Sequence, residues 1–136
     1  MTDLLVDTSV AVPLVLASHE AHELVRDAVG ERSVALAGHA LVETYAVLTR
    51  LPGDARLTPA DAARLLAARF EPAVLLDVRS ARSAPSVLAD HGIAGGATYD
   101  GLIALAARRS GLALGSRDRR AEATYRRLGV ELELLG

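Results

Sequence analysis

A chain of 136 residues, 51% hydrophobic and 24% charged with a mean hydropathy of +0.26, has the size and apolar content of one globular domain over residues 1–136, not of a disordered segment. It contains neither cysteine nor lysine, which excludes disulfides, thiolate metal sites, a cysteine nucleophile, a Schiff-base lysine and a P-loop lysine. The net charge of −2 hides an asymmetry: 8 Arg against 13 Asp/Glu in residues 1–100, and 7 Arg against 4 Asp/Glu in residues 101–136. This excludes a general polyanion binder but leaves room for a local basic face near the C-terminus.

The start, MTDLLVDTSV, is acidic and its apolar run is broken by Asp7, unlike a signal peptide. No apolar run approaches the length of a membrane span, so the expectation is a cytoplasmic protein with no membrane association. Leu4-Leu5-Val6 predicts a buried strand. Thr8 and Ser9 follow as candidate caps for a helix over 10–17, where Pro13 is tolerated only in the first turn. A second helix is predicted over 20–29, closed by Gly30, with Leu24 and Val25 on its apolar face. Residues 33–36 predict a strand. Residues 39–51 predict a helix with Leu41, Tyr45 and Leu48 on one stripe, ended by Pro52-Gly53.

Thr58-Pro59 is a cap followed by proline at the first helical position, and the helix it opens runs to about residue 69. Val74-Leu75-Leu76 predicts a third strand, residues 80–90 a helix containing Pro85, and the glycine-rich segment 91–98 a loop. A helix over 99–110 closed by Gly111, a strand over 112–114, a helix over 118–128 closed by Gly129, and a final strand over 130–135 complete the chain. Strands alternating with helices predict an α/β fold. The expected form is a three-layer α/β/α arrangement around a central, mostly parallel sheet of four or five strands.

In such sheets ligands bind beyond the carboxyl ends of the strands. Asp7 directly follows the first strand, and Asp118 follows the fourth after a Gly-Ser-Arg link. Glu43 and Asp100 interrupt otherwise apolar helices. Carboxylate oxygens are the preferred ligands of Mg²⁺ and Mn²⁺, and a divalent ion offsets the repulsion among gathered carboxylates. Each acid also has a structural reading. Asp7 can cap the helix after the first strand, Glu43 can face solvent, and Asp100 and Asp118 can complement helix N-termini. Position alone leaves both readings open.

The segments VDTSV at 6–10, LVETYAVLTR at 41–50, TYDGLIALAARRSG at 98–111 and SRDRRAEATYRRLGV at 116–130 resemble, together and in order, the motif blocks of the PIN-domain family. More closely, they resemble those of the VapC toxins of type II toxin–antitoxin systems. The resemblance spans the whole chain. It implies a PIN-like α/β/α fold, a Mg²⁺- or Mn²⁺-dependent endoribonuclease, and Asp7, Glu43, Asp100 and Asp118 as its catalytic and metal-holding acids. Thr8 or Ser9 matches the family's small hydroxyl after the first acid. Ser116 stands where threonine is frequent and keeps the oxygen. The implied partners are an RNA substrate and a VapB-type antitoxin, in a homodimer or a toxin–antitoxin hetero-oligomer.

Arg117, Arg119 and Arg120 flank Asp118 and are candidate RNA contacts, against surface solvation or pairing with Glu122. His19 and His22 with Glu20 and Glu23 lack the HExxH spacing, and a structural role is expected for them. Asp77 is expected at the surface and Tyr45 in the core. With one Phe and three Tyr, aromatic recognition of single-stranded RNA looks thin. The rival to the nuclease is a catalytically silent PIN-like module that binds RNA or protein. A receiver-like signalling domain ranks last, for want of its lysine and of paired acids by the first strand.

Overall fold

A computed structural model describes residues 1–136. Its strands are β1 (Leu4–Val6), β2 (Val34–Ala37), β3 (Glu71–Val74), β4 (Leu114–Ser116) and β5 (Leu132–Leu134). Its helices are α1 (Thr8–Val15), α2 (His22–Val29), α3 (Ala40–Thr49), α4 (Pro59–Arg69), α5 (Val78–Asp90), α6 (Ala97–Ser110) and α7 (Glu122–Arg127). The strands form one five-stranded sheet in the order β3-β2-β1-β4-β5, and every pair is parallel. The predicted α/β class and parallel sheet are therefore observed, with five strands. No helix is long and apolar enough to cross a membrane.

The chain starts in the middle of the sheet, builds outward through β2 to β3, then returns to lay β4 on the other side of β1. The direction of winding reverses between β1 and β4, and parallel sheets open a crevice at such a switch point. Leu4, Leu5 and Val6 are all buried, as a central strand covered on both faces requires. The core around them is almost wholly Ala, Val and Leu, with Tyr125 the largest fully buried side chain. The pairing of β1 with β4 joins the acidic N-terminal part of the chain to its Arg-rich C-terminal third.

Several boundaries differ from the sequence reading. Helix α1 starts at Thr8 with Asp7 as its cap, not Thr8 or Ser9, so Pro13 falls beyond the first turn. Its ring leaves the Ser9 carbonyl without a helical donor, and the helix ends two residues later at Val15. In α2 Val25 is buried but Leu24 is 54% exposed. In α3 the buried stripe is Ala40, Thr44 and Leu48, and Tyr45 lies at the surface instead of in the core. Strand β3 occupies 71–74, not 74–76. It carries Pro72, which an edge strand accepts because the missing N–H faces away from the sheet. Strand β4 is displaced by two residues from the predicted 112–114, which places Ser116 inside the sheet. Helix α6 takes over the end of the predicted glycine-rich loop, and α7 begins only at Glu122, leaving Asp118 in the turn before it.

Candidate active site

Asp7 leaves β1 at its carboxyl end and is only 3% exposed. A buried carboxylate persists only if donors replace its water shell, and here there are four. Oδ1 accepts the Ser9 backbone N–H at 3.0 Å and the Ser9 hydroxyl at 2.6 Å. Oδ2 accepts the Ser116 hydroxyl at 2.6 Å and the Tyr125 hydroxyl at 2.8 Å. Strand register explains the Ser116 contact. Val6 pairs with Gly115, and the Asp7 N–H donates to the Gly115 carbonyl at 3.2 Å, so Asp7 and Ser116 end their strands side by side.

The two serines also relay this anchor to the next acid. Ser9 Oγ accepts the Arg117 N–H at 2.7 Å, and Ser116 Oγ accepts the Asp118 N–H at 3.0 Å. The turn that carries Asp118 is thus tied to the hydroxyls that hold Asp7. Asp118 Oδ1 in turn accepts the Arg120 N–H at 3.0 Å, and Arg120 Nε lies 3.6 Å from the same oxygen. Thr8 does not reach Asp7. Its hydroxyl accepts that of the fully buried Thr44 at 3.2 Å, which ties the start of α1 to α3 one residue after Glu43.

Glu43 and Asp100 lie in the first turns of α3 and α6. Glu43 keeps 37% of its side-chain surface in solvent, and His39 Nε2 stands 3.7 Å from its Oε2. Asp100 is pushed up to about 6, first by burial and then by the negative charges of Asp118, Glu43 and Asp7, with Arg120 pulling the other way. That shift means Asp118, Glu43 and Asp7 lie near enough for their charges to act on Asp100. Burial and the Asp7 charge likewise push the Tyr125 phenol far up, so it stays a neutral donor. The structure therefore brings together Asp7, Glu43, Asp100 and Asp118, with Ser9 and Ser116 between the first and last.

The donor set suits a hard divalent cation, being all carboxylate oxygen. No three Asp, Glu or His side chains stand close enough to form a ready-made cage. Mg²⁺ needs no such cage, since it keeps several waters and takes only one or two carboxylates directly. In this structure both oxygens of Asp7 accept protein hydrogen bonds and Oδ1 of Asp118 accepts from Arg120, so a cation entering here would share these oxygens with protein donors.

Among the flanking arginines, Arg119 and Arg120 are exposed, while Arg117 has a buried Nε without a partner. Glu122 pairs with Arg126 at 2.8 Å, not with any of the three. The histidines outside the cleft serve local structure. His19 Nδ1 accepts the Ala21 N–H at 3.0 Å, while ring nitrogens of His22 and His91 sit 2.8 Å from the Pro13 and Val87 carbonyls. Asp77 caps α5 and pairs with Arg109 at 2.7 Å, on the surface as expected. Sequence reasoning missed Tyr125, Thr44, His39 and Tyr99. A signal existed for Tyr125: Ala121, Tyr125 and Leu128 share a helical stripe of spacing four and three, where a polar-headed aromatic needs a buried acceptor.

Residues 4–127 match the PIN domain family. The chain is 53% identical over 129 residues to Ribonuclease VapC27 of Mycobacterium tuberculosis, covering 95% of this chain and 94% of that one. It is 45% identical over 130 residues to Ribonuclease VapC40 of the same species, covering 95% and 96%. The fold superposes on the crystal structure of VapBC2 from Rickettsia felis, bound to a DNA fragment from its promoter, with a TM-score of 0.66 at 13% identity, over 98% of each chain. With a family match over most of its length and a relative identical at more than half of the aligned positions, the chain belongs to the PIN-domain family, on its VapC ribonuclease branch.

Proposed function

We propose that this VapC-type ribonuclease is the toxin of a VapBC-type toxin–antitoxin system, a single nuclease domain that cuts RNA phosphodiester bonds at the cleft of Asp7, Glu43, Asp100 and Asp118. The observation that carries this reading is the raised Asp100, a half-buried carboxyl on which the charges of the other three acids converge. A bound Mg²⁺ or Mn²⁺ supplies Lewis-acid stabilisation of the phosphate and a more acidic water. Asp7 and Asp100, assisted by Asp118, would hold it, and Ser9 and Ser116 tie the turn of Asp118 to Asp7. Glu43, which keeps 37% of its side-chain surface in solvent, orients the attacking water and takes its proton. The oxygen of that water bonds to phosphorus in line as the bond to the 3′ oxygen breaks, and the 3′ oxygen takes a proton from solvent, leaving a 5′-phosphate and a 3′-hydroxyl. No protein nucleophile is needed, which suits a chain without cysteine. Arg119 and Arg120, exposed beside Asp118, guide the RNA backbone.

The proposed partner is a VapB-type antitoxin acting in the cytoplasm, within a homodimer or a toxin–antitoxin hetero-oligomer. An apolar cavity of about 510 Å³ between α3, α4 and β3, lined by Leu41, Val42, Tyr45, Leu66, Phe70 and Pro72, supports a partner that lays an apolar helix face there. A basic side chain from the same partner would meet a cleft of four acids. Cleavage of a labelled RNA by the purified chain in Mg²⁺ or Mn²⁺ tests the reading. Cutting should vanish in EDTA and fall at least about a hundredfold in Asp7→Asn, as loss of one electrostatic element of a site implies. Binding without cutting under every metal condition would favour the silent module instead.

A further inference from the structure

Two aromatic rings meet beside two of the four acids. His39, the cap of α3, stacks on Tyr99 in the first turn of α6, with centroids 4.9 Å apart and planes inclined by 27°. Their place is set by the acids on either side: His39 Nε2 is 3.7 Å from Glu43 Oε2, and Tyr99 immediately precedes Asp100. Core packing does not explain the pair. Tyr99 is 53% exposed although His39 covers one face of its ring, and His39 keeps 31% of its side-chain surface in solvent. Tyr99 is the more exposed of the two surface tyrosines, at 53% against 36% for Tyr45, and it alone adjoins the acids.

We propose that the His39–Tyr99 pair is a nucleobase subsite, which takes one base of single-stranded RNA on the open face of Tyr99 next to the phosphate to be cut. The subsite rests on the nuclease reading of the four acids. Carboxylates repel the phosphate backbone, so affinity at this cleft must come from uncharged contacts or from groups at its edge. Stacking is uncharged, and it tolerates any base because every base presents a π face. His39 stiffens the platform from behind. The stack on His39 restrains the Tyr99 ring, so less side-chain freedom is lost when a base lands.

Equilibrium binding tests the subsite directly. The probes are a short fluorescein-labelled oligouridylate and the same strand with single abasic residues, followed by anisotropy in EDTA at low salt, where nothing is cut. Tyr99→Phe should bind like the unmodified protein, whereas Tyr99→Ala should bind about tenfold more weakly, the effect of one lost stack. One abasic position should weaken the unmodified protein by a similar factor and cost Tyr99→Ala nothing further. Equal affinity of Tyr99→Ala, or additive losses in the variant and the abasic strand, would overturn the subsite and leave the pair to a protein partner. The same holds if the unmodified chain fails to bind the strand. Thermal denaturation of Tyr99→Ala, together with His39→Ala as a second variant that removes only the backing ring, guards against a misfolded protein. Tyr99-dependent binding without any Mg²⁺-dependent cutting would uphold the subsite and sink the nuclease reading. Cutting with binding indifferent to Tyr99 would do the reverse.

Discussion

Asp7 carries its charge where water barely reaches, and its four hydrogen bonds make that tenable. Removing one buried donor exposes the remaining charge to an apolar wall. Tyr125→Phe should therefore cost about 1–3 kcal/mol of stability in chemical denaturation. It should also slow RNA cleavage, because the carboxylate loses the donor that fixes the orientation of Oδ2. Asp100 makes a different prediction. Without a cation its folded form holds the proton more tightly than the unfolded chain, having been pushed from 3.8 up to about 6. Its contribution to stability is thus intact below about pH 4 and is lost as pH rises through about 6. Asp100→Asn in EDTA should match the unmodified protein in the acid range and exceed it by about 1–2 kcal/mol above that window, once solvent screening is allowed for. Mg²⁺ should raise the melting temperature of the unmodified protein at neutral pH, and the gain should fade in acid as protons compete for the same oxygens. An Asp100→Asn variant no more stable than its parent at neutral pH would contradict the convergence of charge.

At the level of elements, the link from β2 to α3 runs tightly against α6. Gly38 takes a φ of +52°, and a Cβ there would stand 3.0 Å from the Leu102 carbonyl oxygen and 3.2 Å from the Ala106 Cβ. Gly38→Ala should cost about 1–3 kcal/mol from backbone strain and crowding together. It should also lower activity, since the same link sets down His39 and, one turn later, Glu43. Denaturation and cleavage assays on one preparation check both effects. The elements also show where local reading stops. The order of strands and helices was legible because apolar runs and caps such as Thr58-Pro59 are local signals. The ends of β3 and β4 were not. Pro72 and Gly115 both disfavour strands locally, and only pairing with β2, β1 and β5 draws them into the sheet. The two-residue displacement of β4 matters for the site, because it seats Ser116 beside Asp7.

Over the whole molecule the charge is divided between an acidic cleft and an Arg-rich C-terminal third. Arg120 keeps 95% of its side-chain surface in solvent, and Arg119 is also exposed. If they meet RNA phosphates, replacing both with Ala should weaken RNA binding several-fold for every sequence. The dependence of log affinity on log salt should flatten by about 1 for each phosphate no longer neutralised. An unchanged salt slope would return both arginines to the role of solvated surface. Because neither side chain supports the core, melting temperature should move little, which separates this outcome from unfolding.

The amino-acid order alone determined the alternation of strands and helices, hence a parallel sheet, because strand, cap and helix signals are short-ranged; it made the four acids candidates only through contiguous motif blocks that resemble the family. It could not decide which side chains hold Asp7, nor that Tyr125, 118 residues away, donates to it. It also left His39 and Tyr99 as unrelated positions, although folding stacks their rings. Those relations depend on strand register and helix packing, which join residues distant in the chain. Only the assembled sheet specifies them.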